Sequence, residues 1–276
     1  MTTDRSYEER HRAAEEVLAT MQAGKVDTER AARAMYRRHG ALGSFAIDVV
    51  MGDLWCRPQL ARRDRSLIVI ALLAAMGSDE ELGLHVEIGL NHGLRRDEVD
   101  EILLHVAAYA GFPVAMAAAR VVDRTFCRID GIDRQPPRSP AAQKDDAERR
   151  ADAADVLRTL TGGRSPADPD GARAGIVAGL GDVGTLAFDF AFGEVWARPQ
   201  LSRRDRSLVV VAVLGWLGAG QELAFHVPAA LNHGLTRDEV TEIMVQLTIY
   251  AGFPRAVEGM RAAREAFAAI DARTGH

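Results

Sequence analysis

Residues 196–254 repeat residues 55–113 without an insertion or deletion. Adding 141 to a number in the first copy gives its partner, and about 35 of the 59 positions are identical. A sequence written twice in this way must fold into two similar units, each of roughly 120 to 140 residues and each long enough for its own core. The shared positions are polar as well as apolar: Trp55/Trp196, Arg57/Arg198, Glu81/Glu222, His85/His226, Asn91/Asn232, His92/His233 and Tyr109/Tyr250.

The apolar spacing inside each unit is helical. Ala13, Ala14, Val17, Leu18 and Met21 recur at the period of an amphipathic helix that stops at Gly24. Residues 146–162 carry a related ADVLRTL pattern where the first copy has EEVLATM, with the offset shifted by two. Residues 43–55 and 184–196 are apolar apart from shared acids at Asp48 and Asp189, and predict helices. Residues 67–76 have no polar face, which marks a helix buried on all sides; Asp64 or Ser66 is expected near its N-cap. Residues 81–91 predict a further helix, ending at His92-Gly93. Thr236 to Glu239 reads as a capping box for a helix through Tyr250, whereas Arg95 breaks the box in the first copy and leaves Asp97 as a substitute. The Pro-rich residues 131–143 read as a linker between a first unit, 1–130, and a second, 144–276. The expectation is an all-α tandem duplication that folds as an internal pseudo-dimer.

Composition narrows the function classes. A net charge of -5 argues against a general nucleic-acid binder. The N-terminus is charged and lacks an apolar leader, and the longest unbroken apolar run is shorter than the ~20 residues that span a bilayer. A cytoplasmic protein without a membrane segment is expected. Cys56 and Cys127 form no CxxC, and the partner of Cys56 is Ala197. No HExxH, GxGxxG, P-loop or GxSxG motif occurs, so neither a metal nor a nucleotide cofactor is expected.

The shared polar residues are the candidates for chemistry. Glu81 and His85, like Glu222 and His226, stand four apart and share one helix face. A carboxylate on one imidazole nitrogen would fix its tautomer and leave the other for proton transfer. The plainer reading is a helix-stabilising pair worth about 0.2 to 0.5 kcal/mol. His92 and His233, seven residues further on, return to nearly the same direction. Gly89, Ala230 in the second copy, lies between the imidazoles and leaves either a hollow or a close helix contact. Arg57 and Arg198 offer guanidinium groups to a substrate carboxylate; alternatively they pair with Asp48, Asp53, Asp64 or their counterparts. Trp55, Trp196, Tyr109 and Tyr250 would line a pocket, or serve as core anchors. His105 is matched by Gln246 and so carries no shared chemistry.

In these residues the chain resembles the carboxymuconolactone decarboxylase family, which has the all-helical alkylhydroperoxidase D-like fold. The first copy reads GDLWCRPQL, RSL, EELGLH, LNHGL, RRDEV and YAGFP; the second reads GEVWARPQL, RSL, QELAFH, LNHGL, TRDEV and YAGFP. The resemblance implies removal of carbon dioxide from an unsaturated lactone dicarboxylate without a cofactor, with His85 and His226 moving the proton and Glu81 and Glu222 orienting them. It also implies rings of six single units, here three tandem chains as a pseudo-hexamer. Decarboxylases of the family commonly carry Arg two residues after the histidine and Asn-Asn-Gly further on. This chain has Glu87, Pro228 and Asn-His-Gly, which points to an altered, less anionic substrate. The peroxidase relatives use a CxxC ahead of the histidine, absent here. Two other readings stay open: an isomerase, cyclase or rearrangement enzyme on a lactone or polyketide-like metabolite, and a non-catalytic binding or scaffold protein.

Overall fold

The computed structural model describes residues 4–274, and among these every regular element is helical. The first unit contains α1 (Tyr7–Met21), α2 (Thr28–His39), α3 (Ala41–Phe45), a first π-helix (Ala46–Trp55), α4 (Arg62–Met76), α5 (Asp79–Asn91), α6 (Arg96–Tyr109) and α7 (Phe112–Asp130). The second repeats the order as α8 (Asp146–Leu160), α9 (Pro169–Leu186), a second π-helix (Ala187–Trp196), α10 (Arg203–Leu217), α11 (Gly220–Asn232), α12 (Arg237–Tyr250) and α13 (Phe253–Thr274). Residues 131–145 between them hold no helix.

α4 and α10 lie against each other at the centre and also touch α6 and α12. Every residue of α4 from Asp64 to Ala75 is buried, as its unbroken apolar stretch predicts. The three polar residues in that stretch, Asp64, Arg65 and Ser66, are buried as well. The expected cap is different: Ala61 holds the N-cap position without a side-chain bond, while in the second copy Ser202 caps Asp205 at 3.1 Å. Ser66 sits inside the helix and serves another partner.

The segments before each tryptophan are π-helical over ten residues, a widening that composition does not reveal and that often accompanies functional sites. Each π-helix packs on the first helix of its unit through a glycine. A Cβ on Gly52 would come within 2.6 Å of the Arg10 carbonyl, and one on Gly193 within 2.6 Å of the Arg149 carbonyl. Helices α2 and the early part of α9 have no counterpart in the sequence reading. In α2 only Ala32 is buried, so the sequence offers no apolar stripe to recognise.

The Thr236 capping box forms as expected, with 2.7 and 3.1 Å bonds to Glu239. At Arg95 half of the box survives, because Glu98 still accepts the Arg95 N–H at 2.7 Å. One stretch, Pro169–Trp196, is long and apolar enough to cross a bilayer by length and composition, although counting unbroken apolar runs does not find it. Gly181, at φ 57° and ψ -134°, breaks its helical path.

Candidate active site

Trp55 and Trp196 are each set by the end of a π-helix and are each 1% exposed. The Trp55 indole lies between two imidazoles, with ring centroids 6.2 Å from His85 and 5.8 Å from His92. Trp196 stands between His226 and His233 at 6.1 and 5.8 Å. The tyrosines cross over between the units. Trp55 Nε1 donates to the Tyr250 hydroxyl at 2.9 Å, and Trp196 Nε1 donates to the Tyr109 hydroxyl at 2.9 Å. Tyr250 meets His85 edge-on at 5.6 Å, and Tyr109 meets His226 at 5.4 Å. Each cluster therefore takes its tryptophan and histidines from one unit and its tyrosine from the other.

A tyrosine oxygen that accepts from an indole still has its own proton to give. In the second cluster the Tyr109 hydroxyl is 3.4 Å from His226 Nε2. In the first, the buried Nδ1 of His85 has no hydrogen-bond partner, a polar atom left for something not in the chain. Burial is the main cause of the low pKa of both imidazoles, with a smaller contribution from the neighbouring His92 or His233: His85 falls to about 4 and His226 to about 3. Burial likewise pushes both tyrosine hydroxyls up, so they remain protonated donors. The combination is a neutral imidazole, a poised phenol and a dry wall.

The carboxylates are placed differently from the expectation. Glu81 and Glu222 are exposed, and among the described residues neither bonds its histidine. Burial is the main cause of the raised Tyr250 pKa, and the Glu81 charge adds to it. Four-residue spacing shares a face, but here the imidazole turns inward to the tryptophan while the carboxylate stays in solvent.

His92 and His233 have both ring nitrogens engaged. His92 Nδ1 lies 2.7 Å from Ser66 Oγ and Nε2 3.2 Å from Thr20 Oγ1; His233 repeats this with Ser207 at 2.8 Å and Thr159 at 3.1 Å. Thr20 gives its one proton to the Val17 carbonyl at 2.8 Å and accepts from Arg62. It must therefore accept from Nε2–H, which assigns the proton to Nε2 and makes Ser66 the donor to Nδ1. Thr159 does the same with Val156 and Arg203, each at 2.8 Å. These imidazoles position the tryptophan wall and hold no free nitrogen. Gly89 forms no hollow between the histidines, since a Cβ there would meet Ile70 at 2.8 Å and Leu94 at 2.9 Å. Asn91 and Asn232 bind the ends of α1 and α8, donating to Met21 O at 2.6 Å and Leu160 O at 2.7 Å.

Arg57 is held by Glu242 through contacts of 2.7 to 3.0 Å, and fully buried Arg65 reaches the same carboxylate at 2.7 Å. Arg198 and Arg206 bind Glu101 in the mirror arrangement at 2.6 and 3.2 Å. The expected partners are elsewhere: Asp48 accepts from Tyr36, Asp53 pairs with Arg5, and Asp64 pairs with Arg204. These arginines join the two units. Sequence reading missed Glu101, Glu242, Ser207, Thr20 and Thr159, and gave Ser66 a capping role in place of its bond to His92, although each pair is retained between the copies. His105 breaks the symmetry: it lies 5.4 Å from Trp196 with a buried, unpaired Nε2, whereas Gln246 bonds the Arg65 carbonyl at 3.0 Å. Among the described residues no cluster of three or more His, Cys, Asp or Glu could hold a metal.

A model of the carboxymuconolactone decarboxylase family matches residues 41–124 and again 181–265. The chain belongs to the carboxymuconolactone decarboxylase family. One matched region lies in each helical unit, so the family domain occurs twice in the chain. The 4-carboxymuconolactone decarboxylase of Acinetobacter baylyi is 47% identical over 78 residues, 28% of this chain and 58% of that protein. The nitrosuccinic acid decarboxylase npaB of Metarhizium robertsii is 36% identical over 75 residues, 27% of this chain and 52% of that protein. The chain thus spans just over half the length of these curated relatives. Two carboxylic acids appear in their names, so family membership brings decarboxylase-type relatives without fixing one substrate.

Proposed function

We propose that this chain is a cofactor-independent decarboxylase of a carboxylated unsaturated lactone or related metabolite, with two composite centres in which His85 and His226 move the proton. The supporting observation is the crossed Trp-Tyr-His cluster, found twice. Loss of carbon dioxide from such a lactone drives the bond's electron pair through the ring alkene onto the carbonyl oxygen. A phenol whose lone pair is taken by an indole is oriented to donate to that oxygen, and in a water-poor site the bond strengthens as charge develops. Collapse of the dienolate then requires a proton on carbon. The imidazole, neutral in the free protein, gains basicity beside the substrate carboxylate, takes up a proton from solvent as the substrate binds, and delivers that proton to the carbon, ending neutral again.

Incubating the full chain with 4-carboxymuconolactone while following carbon dioxide and ultraviolet absorbance tests this reading. Turnover is expected, with His85→Ala and His226→Ala each leaving one working centre and the double variant inactive. No turnover above buffer sinks the narrow substrate assignment.

One observation favours a second reading, an isomerase or cyclase acting on a less anionic lactone. Arg57 and Arg198, the guanidiniums suited to a substrate carboxylate, are already bound by Glu242 and Glu101. Conversion of an uncharged lactone without carbon dioxide release, abolished by the same double histidine substitution, would establish it. A scaffold role predicts instead that this substitution leaves the biological activity intact.

A further inference from the structure

The two units differ most usefully in the groove between the histidine-bearing helix and the last helix. In the first unit this is a depression of about 420 Å³ walled by charge, including Asp79, Glu80, Arg124 and Arg128. Arg128 reaches across it to Glu87 at 2.7 Å, and Arg124 lies 3.9 Å from Asp79. In the second unit the corresponding groove, about 270 Å³, lies between α8, α11 and α13. Both members of the crossing ion pair have been replaced there, Glu87 by Pro228 and Arg128 by Ala269, and both replacements line the groove. Thr125 has become Ala266, Leu84 has become Phe225, and Asp79 has become Gly220. The loss of both partners together removes a strap without leaving an unpaired charge, and opens an apolar floor.

The rim carries two cations. Arg164 and Arg273 border this groove, and among the described residues neither guanidinium has a hydrogen-bonding or ionic partner. Glu265 is also on the rim, which leaves the three side chains with a net positive balance. Pro228 adds a local feature, since it has no N–H to give the Ala224 carbonyl one turn earlier, and Ala224 lines the same groove. Phe225 is shared with the chemistry: its ring meets His226 edge-on at 5.1 Å.

We propose that the α11–α13 groove of the second unit is a binding site for a small carboxylic acid with an apolar tail, present once per chain. The tail lies on Leu160, Phe225, Pro228 and the alanines of α13, while the carboxylate meets Arg164 and Arg273 in charge-assisted bonds. The volume sits just below the roughly 300 to 1,000 Å³ of drug-sized ligand pockets, which limits the occupant to a short chain or single ring. Occupancy would press on Phe225 and so on His226, giving the second centre an input that the first lacks. The site stands independently of the reaction assigned to the histidines.

Calorimetric titration of the full chain with octanoate tests it, with octanol as the uncharged control. One equivalent of octanoate is expected to bind per chain, with octanol roughly tenfold weaker or more, about 1.4 kcal/mol. Pro228→Glu with Ala269→Arg, which restores the first unit's ion pair, should abolish binding. Arg164→Ala with Arg273→Ala alters only exposed side chains, and should weaken octanoate without changing octanol. Circular dichroism and thermal midpoints confirm that each variant is folded. Absence of saturable binding at millimolar octanoate, two equivalents per chain, equal affinity for octanol, or binding unaffected by the arginine pair would each overturn the proposal.

Discussion

Five histidines, His85, His92, His105, His226 and His233, lie where burial disfavours the imidazolium, and their pKa values fall from 6.5 to about 4 or, for His105 and His226, about 3. Between those values and 6.5 the unfolded chain binds protons that the folded chain does not. Stability therefore rises with pH across that window, and is lost as pH falls below the unfolded value. Each fully buried histidine adds a slope approaching 1.4 kcal/mol per pH unit, less for the half-buried His92 and His233. Thermal midpoints measured from about pH 7.5 down to about pH 4.5 should drop steeply below about pH 6.5. His105→Gln, the residue that the other copy carries as Gln246, should make the fall shallower; a flat profile in the wild-type chain would contradict the assignment. The identities of these groups were legible, because tryptophan, histidine and tyrosine stand at matching places in the two copies. Their grouping was not. Alignment pairs Tyr109 with Tyr250 as equivalents, whereas space pairs Tyr109 with Trp196 and Tyr250 with Trp55, and nothing in a linear repeat announces the exchange.

Among the elements, α4, α6, α10 and α12 carry the junction between units. Two side chains in it, Glu242 and Glu101, are 1% exposed and face guanidiniums of the other unit. A buried carboxylate so placed is a costly thing to remove singly, because the arginine behind it is left charged without a partner. Glu242→Gln, which keeps the shape, is expected to destabilise the chain by about 3 to 5 kcal/mol, read as a lower denaturant midpoint. Arg65→Met combined with Glu242→Leu should cost less than Glu242→Gln alone, since both ends of that buried contact are then apolar. If the single change proves harmless, the junction is held by apolar packing and the charges are incidental. The helices of this junction were legible in the sequence, α4 from its unbroken apolar run and α12 from the capping box at Thr236. Glu101 and Glu242 were not, because a glutamate in the polar first half of an amphipathic helix looks like any solvated charge until the opposing unit is in place. The π-helices were hidden for a different reason: a change from i+4 to i+5 bonding leaves composition untouched.

At the scale of the molecule, the junction buries one face of each unit and leaves another bare. Leu42 and Phe45 are 73% and 62% exposed, and their repeat partners Val183 and Leu186 are 69% and 66% exposed. Two copies of one apolar surface at equivalent places on a single chain satisfy neither themselves nor each other. Through them a chain can meet two neighbours, and repeated contacts of that kind close into a ring or run on as a filament. We propose that three chains close in this way, with six units around the axis, the number that the family resemblance implies. Light scattering should give three times the 29.9 kDa of one chain. Leu42→Asp with Val183→Asp, changes at exposed positions that touch neither centre, should yield single chains that keep their helical content and their paired Trp-Tyr contacts. A wild-type chain that scatters as 29.9 kDa at every concentration would show that these faces are covered by something other than a copy of itself. If the double variant instead loses helix as it dissociates, the ring is a condition of folding, and the two units, though they bury a common core, do not suffice alone.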